Sequence, residues 1–292
     1  MLSFGFAPIL VRWAGDISPF LLAAFRTGFA VLILVPYGAY RGRLSGWTVD
    51  DAGQKDYSTF WYATFAGIAL GIHFTFWIAS LSYTSVASAS VLVTIHPVMV
   101  ILVERLLFKR VFSKTAWIGV ISAFAGSVLL GVTDNQVASE FANPLLGNIL
   151  AFTAAAVFVV YLLIGQRIRQ QMGWYDYVFR VYFFAAVTCL LLNFIIGFDL
   201  AELSWVGVAA GIGLAVGPQI IGHGSMNYAV KYISPTLLST LILAEPLIAS
   251  VLAYFLFAEI PPLASIAAMV IILAGILLTW RRKSEKAGNS PK

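Results

Sequence analysis

Glu245 and Pro246 stand together inside a long apolar stretch, and 149 residues earlier His96 and Pro97 occupy a matching place. Proline removes one backbone donor and disfavours helical geometry at the residue before it, so carbonyls near both positions are freed to face a cavity. A carboxylate and an imidazole at two such breaks can bind a solute or exchange a proton; equally, each can bond the interrupted backbone and do nothing more. Insertion into a bilayer costs such groups about 2.5–3.5 kcal/mol each, which is why they usually face a cavity or a partner. His73 and His223 form a second pair, 150 residues apart, expected to approach each other across a central cavity. An imidazole titrates near neutral pH and suits proton coupling, although a hydrogen-bonded packing role explains it as well.

Trp77, Asn227 and Tyr228 would add aromatic walls and a polar group to that cavity, the usual makeup of a small-ligand site. Tyr83 and Tyr232, near span ends, suit an interfacial belt better. Arg26 and Arg180 can bind an anionic solute, pair with Glu245 or Glu104, or snorkel to an interface; snorkelling is the expectation, since both lie within reach of a membrane surface. Glu104, Arg105 and Glu259 read as interfacial. The candidate site is therefore His73, Trp77, His96, His223, Asn227 and Glu245 for solute binding, with Glu245 and His96 as proton-coupling candidates and helix breaks at Pro97 and Pro246.

The elements that carry these residues are membrane spans. With 60% hydrophobic and 11% charged residues and a mean hydropathy of +0.90, the chain is far more apolar than soluble domains, where about 25% of residues are charged. Ten apolar runs bounded by Gly, Pro, Asp and basic residues predict helices at about 2–14, 18–40, 59–80, 86–108, 115–133, 144–166, 174–197, 203–229, 235–258 and 262–281. The first is short for a crossing: it reads as a helix whose opening turns are missing from this chain, or as one that spans only partly. It lacks the basic n-region and small-residue cleavage site of a signal peptide.

Charge orients the spans. Arg41, Arg43 and Lys55 follow the second helix, Lys109, Arg110 and Lys114 the fourth, Arg167 and Arg169 the sixth, Lys231 the eighth, and Arg281, Arg282, Lys283 and Lys286 the tenth. The connections at 134–143, 198–202 and 259–261 hold no Lys or Arg. The positive-inside rule then places both termini in the cytoplasm. Arg12, near the outer end of the first helix, is the exception, with Asp16 within pairing distance in sequence. The net charge of +5 and pI near 9.3 come from these short clusters, so they report orientation and not a nucleic-acid partner. A single cysteine, Cys189, excludes an intramolecular disulfide and a zinc cluster.

A shift of 149 residues lays 83–130 on 232–279 without a gap, with ten identities among 48 pairs, including Tyr83/Tyr232, Ser85/Ser234, Pro97/Pro246, Leu107/Leu256, Phe108/Phe257 and Gly126/Gly275. A slightly different offset pairs Phe25-Arg26 with Phe179-Arg180. Two related halves of five spans each must enter the bilayer in opposite senses, an inverted repeat. In such folds the site lies near the midplane between the halves, and rocking one against the other gives alternating access. Small residues, Gly67 and Gly71 and again Gly207, Gly211, Gly213 and Gly217, allow close helix contact. Their density before Pro218 also suggests a flexible or broken element.

The chain carries Leu-Ser-Tyr-Thr-Ser-Val-Ala-Ser-Ala at 81–89, His-Pro-Val at 96–98, Ala-Glu-Pro-Leu at 244–247 and Phe-Ala-Glu at 257–259. In these motifs it resembles the EamA-like transporters of the drug/metabolite transporter superfamily, over nearly its whole length. It departs at Phe-Lys-Arg 108–110, where such repeats commonly end in a Glu, as at Glu259, so a role for that Glu is not assumed symmetric. The resemblance implies an all-α membrane protein of about ten helices: a first EamA-like repeat over 1–134, an extracytoplasmic connector at 135–143, a second repeat over 144–281 and a cytoplasmic tail at 282–292.

The expected function is secondary transport, by alternating access, that exports a small metabolite, amino-acid-like compound or drug across the cytoplasmic membrane. An exchanger or uptake carrier is the alternative, because the sequence gives no direction of its own. No Gly-x-x-x-x-Gly-Lys-Ser/Thr pattern supports ATP use, and no His-Glu-x-x-His or Gly-x-Ser-x-Gly supports an intramembrane enzyme. No cofactor is called for. A small molecule and the lipid bilayer are the partners, nucleic acid is not, and a homodimer is compatible. The aromatic lining suits an aromatic or amphipathic amine-like solute.

Overall fold

The computed structural model describes residues 2–15, 17–42, 56–84, 89, 92–133, 143–197, 203–245, 247–248, 251–252, 255 and 263–288. Asp16, Arg43, Lys55, Pro246, Glu259 and most of the charge-free connections lie outside the described residues. Every regular element among the described residues is helical. In chain order they are α1 (Leu2–Gly5), α2 (Ala7–Trp13), α3 (Pro19–Tyr40), α4 (Tyr57–Tyr83), α5 (His96–Leu106), α6 (Lys114–Thr133), α7 (Pro144–Ile168), α8 (Trp174–Ile196), α9 (Trp205–Ala229), α10 (Pro235–Ile242) and α11 (Leu263–Gly288).

Five of these, α3, α4, α7, α8 and α9, are long and apolar enough to cross a membrane, and shorter apolar stretches lie in α1–α2, α6 and α11. Large apolar side chains such as Leu32, Phe65, Val160, Phe183, Leu190 and Ile195 point outward, as lipid-facing residues do. The starts are marked by side-chain caps: Asp56 accepts from the Thr59 amide, Asn143 from Leu146, Ser204 from Gly207 and Ser234 from Leu237. Bonds from Thr59, its hydroxyl first and then its amide, hold the Asp56 carboxyl below its ordinary range.

Three expected spans differ in detail. The first is two short helices, and Pro8, which lacks an amide, falls in the first turn of the second, where that loss costs little. In the expected span at 86–108 a turn at Thr94–Ile95 precedes α5, and Pro97 sits in the first turn of α5, where its missing amide costs little. In the expected span at 235–258, α10 stops at Ile242 and a turn covers Leu243–Ala244, directly before Glu245. Both interruptions therefore come just ahead of the two proline positions.

Close packing rests on glycine. A Cβ on Gly67 would come within 2.6 Å of the Val181 carbonyl oxygen, and one on Gly71 within 2.8 Å of the Ala185 oxygen, so α4 and α8 touch backbone to backbone. α6 and α11 do the same at Gly119 and Gly275, each of whose added Cβ would meet the other's carbonyl oxygen at 2.8 and 2.6 Å. α4 also packs on α7, α3 on α8 and α9, α1 and α2 on α9, and α5 on α10.

The end of the bundle that carries Arg41, Lys109, Arg110, Arg167 and Arg169 is tied across by hydrogen bonds. The Thr59 hydroxyl donates to Gln171 at 3.2 Å, Gln170 to the Lys231 carbonyl at 3.0 Å and Tyr175 to the Leu34 carbonyl at 3.0 Å. Arg169 is buried there and donates to the carbonyls of Asn227 and Met172, so it is a clamp between α7 and α9 as well as a surface charge. Glu104, expected at an interface, is fully buried instead: Arg110 and the α10 hydroxyl of Thr236 both donate to its carboxylate. The opposite end is indented by a cavity of about 560 Å³ lined by residues including Val11, Ser18, Leu22, Ile78, Ser82 and Ile196.

Candidate functional site

The polar centre of the bundle is built around Arg26. Its guanidinium is 2% exposed and lies 3.7 Å over the Phe74 ring, and its Nε donates to Gln219 Oε1 at 3.0 Å. The snorkelling expectation fails for this residue: α3 holds it a quarter to a third of the way along its length, behind Leu21 and Leu22, with its apolar stem packed inward. Arg180 is also buried, 3.7 Å over Phe60 near the basic end of α4. The two repeat-related arginines thus lie at different depths against the same helix, and only Arg26 joins the centre.

α9 shapes the other wall. Residues Ala215–His223 form a π-helix containing Pro218, where expectation had a flexible or broken element; the helix continues, but with wider turns. The Gln219 carbonyl receives both the Gly224 amide and the Tyr182 hydroxyl, the latter at 2.7 Å. Gln219 and His223 are both buried, and His223 lies edge-on to Phe74 at 5.0 Å and to Phe4 at 4.9 Å.

His73 on α4 bonds the Ala154 carbonyl through Nδ1 at 2.9 Å and stacks at a tilt on Phe158, 5.0 Å away. His96 bonds the Val93 carbonyl at 2.8 Å and meets Phe158 edge-on at 5.0 Å. Phe158, with His73, His96 and His223 around it, is the aromatic hub. Asn227 accepts from Tyr161 at 2.5 Å. Trp77 is half-buried one turn from His73 and packs against the α2, α3 and α9 side of the bundle.

The structure thus packs His73, His96 and His223 around Phe158, with Asn227 bonded to the neighbouring Tyr161. Glu245 is half-buried and acts electrostatically on Arg26, with no ion pair joining them among the described residues. Tyr228 leaves the set: it is 55% exposed beside Tyr232, because the residue next to the inward Asn227 must point outward. Pro246 is outside the described residues. Arg26 was weighed for other roles, while Gln219, Phe74, Phe158, Tyr161 and Tyr182 were not anticipated; a lone amide directly after Gly217-Pro218 in an apolar run is the one signal that was available. Among the described residues no three His, Cys, Asp or Glu side chains converge on a metal position.

The cavity lies near this centre along the helices. Leu22 and Ile78, which line it, lie four residues from Arg26 on α3 and from Phe74 on α4. That is one helical turn, about 6 Å along the axis.

The sequence pattern of the EamA-like transporter family matches residues 1–132 and 145–281. The chain belongs to this family. A transporter of Archaeoglobus fulgidus that carries no assigned substrate in its name is 26% identical over 234 residues, covering 79% of each chain. One of Clostridium kluyveri is 23% identical over 286 residues, covering 95% of this chain and 88% of that one. A crystal structure at 20% identity superposes with a TM-score of 0.76 over 96% of this chain and 94% of the other, which establishes likeness of fold. Family membership and the long apolar helices make the chain a multi-pass membrane transporter of the drug/metabolite type.

Proposed function

We propose that the chain is a secondary transporter that exports a small metabolite, amino-acid-like compound or drug through the cell membrane, with two inverted five-helix halves alternating about the Arg26–His223 centre. The observation that carries this reading is the pattern of helix contacts. Pairing α1–α2 with α7, α3 with α8, α4 with α9, α5 with α10 and α6 with α11 maps α4–α7 onto α9 with α1 and α2, and α4–α8 onto α9–α3. The contacts α3–α8, α5–α10 and α6–α11 map onto themselves. A two-fold relation between halves supports an inverted repeat, and in such folds the site lies near the midplane between the halves.

With the basic end cytoplasmic, as the positive-inside rule directs, both termini are cytoplasmic, the hydrogen-bonded end is a closed inner gate and the cavity opens outward. Glu245 and His96, at the paired interruptions, are then placed to exchange protons as the halves rock. Export requires the inner gate to open. Cysteines at Arg110 and Gln166, whose side chains meet at 3.3 Å on the exposed basic end and belong to different halves, joined by a short reducible bifunctional cross-linker, are expected to bring flux of amino acids, nucleosides or cationic drugs in proteoliposomes to background, and reduction to restore it. Cys189 is buried and will not compete. Unchanged flux in the cross-linked protein would sink the alternating-access reading.

A further inference from the structure

The centre is rich in donors. Arg26 uses only Nε, and its two terminal amino groups carry no hydrogen bond among the described residues. Beside it, Gln219 Nε2 and His223 Nδ1 are buried without a partner. Gln219 is 0% and His223 5% exposed, so solvent at the surface does not satisfy them. A buried guanidinium ordinarily has a carboxylate on it, since an unmatched charge in a low-dielectric site is costly. Here Glu245 contributes electrostatically to Arg26, with no ion pair between them among the described residues. Arg26 and Gln219 offer donors with spare capacity, and His223 Nδ1 donates in its Nδ1–H form; the three sit together on α3 and the π-helical turn of α9, with Arg26 one helical turn from Leu22 in the cavity lining.

We propose that this cluster binds the anionic group of the transported solute, a carboxylate or similar planar oxyanion. This rests on the transport reading and names the class of solute for it. The planar fork of Arg26, pre-set by its stacking on Phe74 and its bond to Gln219, suits two-point recognition of a carboxylate. An amine without an acidic group meets a cation at the same place and is repelled, which reverses the amine-like expectation drawn from aromatic lining alone.

The test uses the full chain in lipid nanodiscs and thermal unfolding with matched aromatic probes: benzoate, phenylacetate and 3-phenylpropionate against benzylamine, phenethylamine and 3-phenylpropylamine. The carboxylates are expected to raise the midpoint in a saturable way and the amines to leave it unchanged. Arg26→Gln should weaken the carboxylate effect by about 10- to 100-fold, as loss of a charged hydrogen-bond donor does, while the exposed-site control Arg105→Gln retains it. Should Arg26→Gln fail to fold, Gln219→Ala and Arg26→Lys are read instead, with a weaker carboxylate effect expected in both. Stabilisation by the amines in place of the carboxylates, by neither series, or by carboxylates undiminished in these variants overturns the assignment. If amines are both bound and carried in flux assays, the transport reading survives and only the anion site falls.

Discussion

Replacing Glu104 with Ala is expected to lower the stability of the folded chain by about 2–4 kcal/mol, read as a drop in the unfolding midpoint in nanodiscs. Glu104 is wholly buried and is the shared acceptor of Arg110 on the same end of the chain and Thr236 on α10. Removing it strands the Thr236 hydroxyl, which is 3% exposed, and leaves a void where the carboxylate was. Arg110 is 43% exposed and can be hydrated again, which keeps the cost below that of a fully buried pair. Glu104→Gln preserves shape and can still accept from Thr236, but its amide turns a second donor toward Arg110. It should therefore fall between wild type and Glu104→Ala. Equal midpoints for all three proteins would show that the node contributes nothing to stability.

A second large effect is expected at Gly275. A Cβ there would come within 2.5 Å of the Ala123 nitrogen and 2.6 Å of the Gly119 oxygen, both backbone atoms that cannot rotate aside. Gly275→Leu should separate α6 from α11 and cost about 3 kcal/mol, the upper part of the range for overpacking a close-packed interface. Gly28 on α3 provides the contrast, because nothing lies within 4 Å of its added Cβ. Gly28→Ala should be neutral or stabilise by up to about 1 kcal/mol, through helix propensity alone. Reversible unfolding of both variants measures the difference directly, and similar midpoints would contradict the backbone-contact account.

What the sequence revealed follows from which physical constraint is strongest. Bilayer thickness imposes long apolar runs, so α3, α4, α7, α8 and α9 were legible to within a few residues of their ends. The interruptions ahead of Pro97 and Glu245 were legible because proline acts on its own backbone. Burial of charge at span ends was not. Glu104 and Arg26 both lie within reach of an interface along the helix, and only the direction of the side chain, set by neighbours distant in sequence, decides whether they reach it. Thr236, which is 132 residues from Glu104, and Gln219, which is 193 from Arg26, hold them inside. On α9 the result is mixed because consecutive helical residues point in different directions, so with Asn227 inward Tyr228 is outward, and sequence alone does not say which of the two faces the core.

The central claim is flux through the Arg26–His223 centre, coupled at Glu245. The direct measurement is uptake into proteoliposomes of amino acids, nucleosides and cationic drugs, with and without an imposed pH gradient, by wild type and Glu245→Gln. Saturable accumulation that depends on the gradient and falls at least about tenfold in Glu245→Gln is the expected result, since a carboxamide cannot exchange the proton. Gradient-independent flux that survives the substitution, or no carrier-dependent flux of any solute, would contradict it.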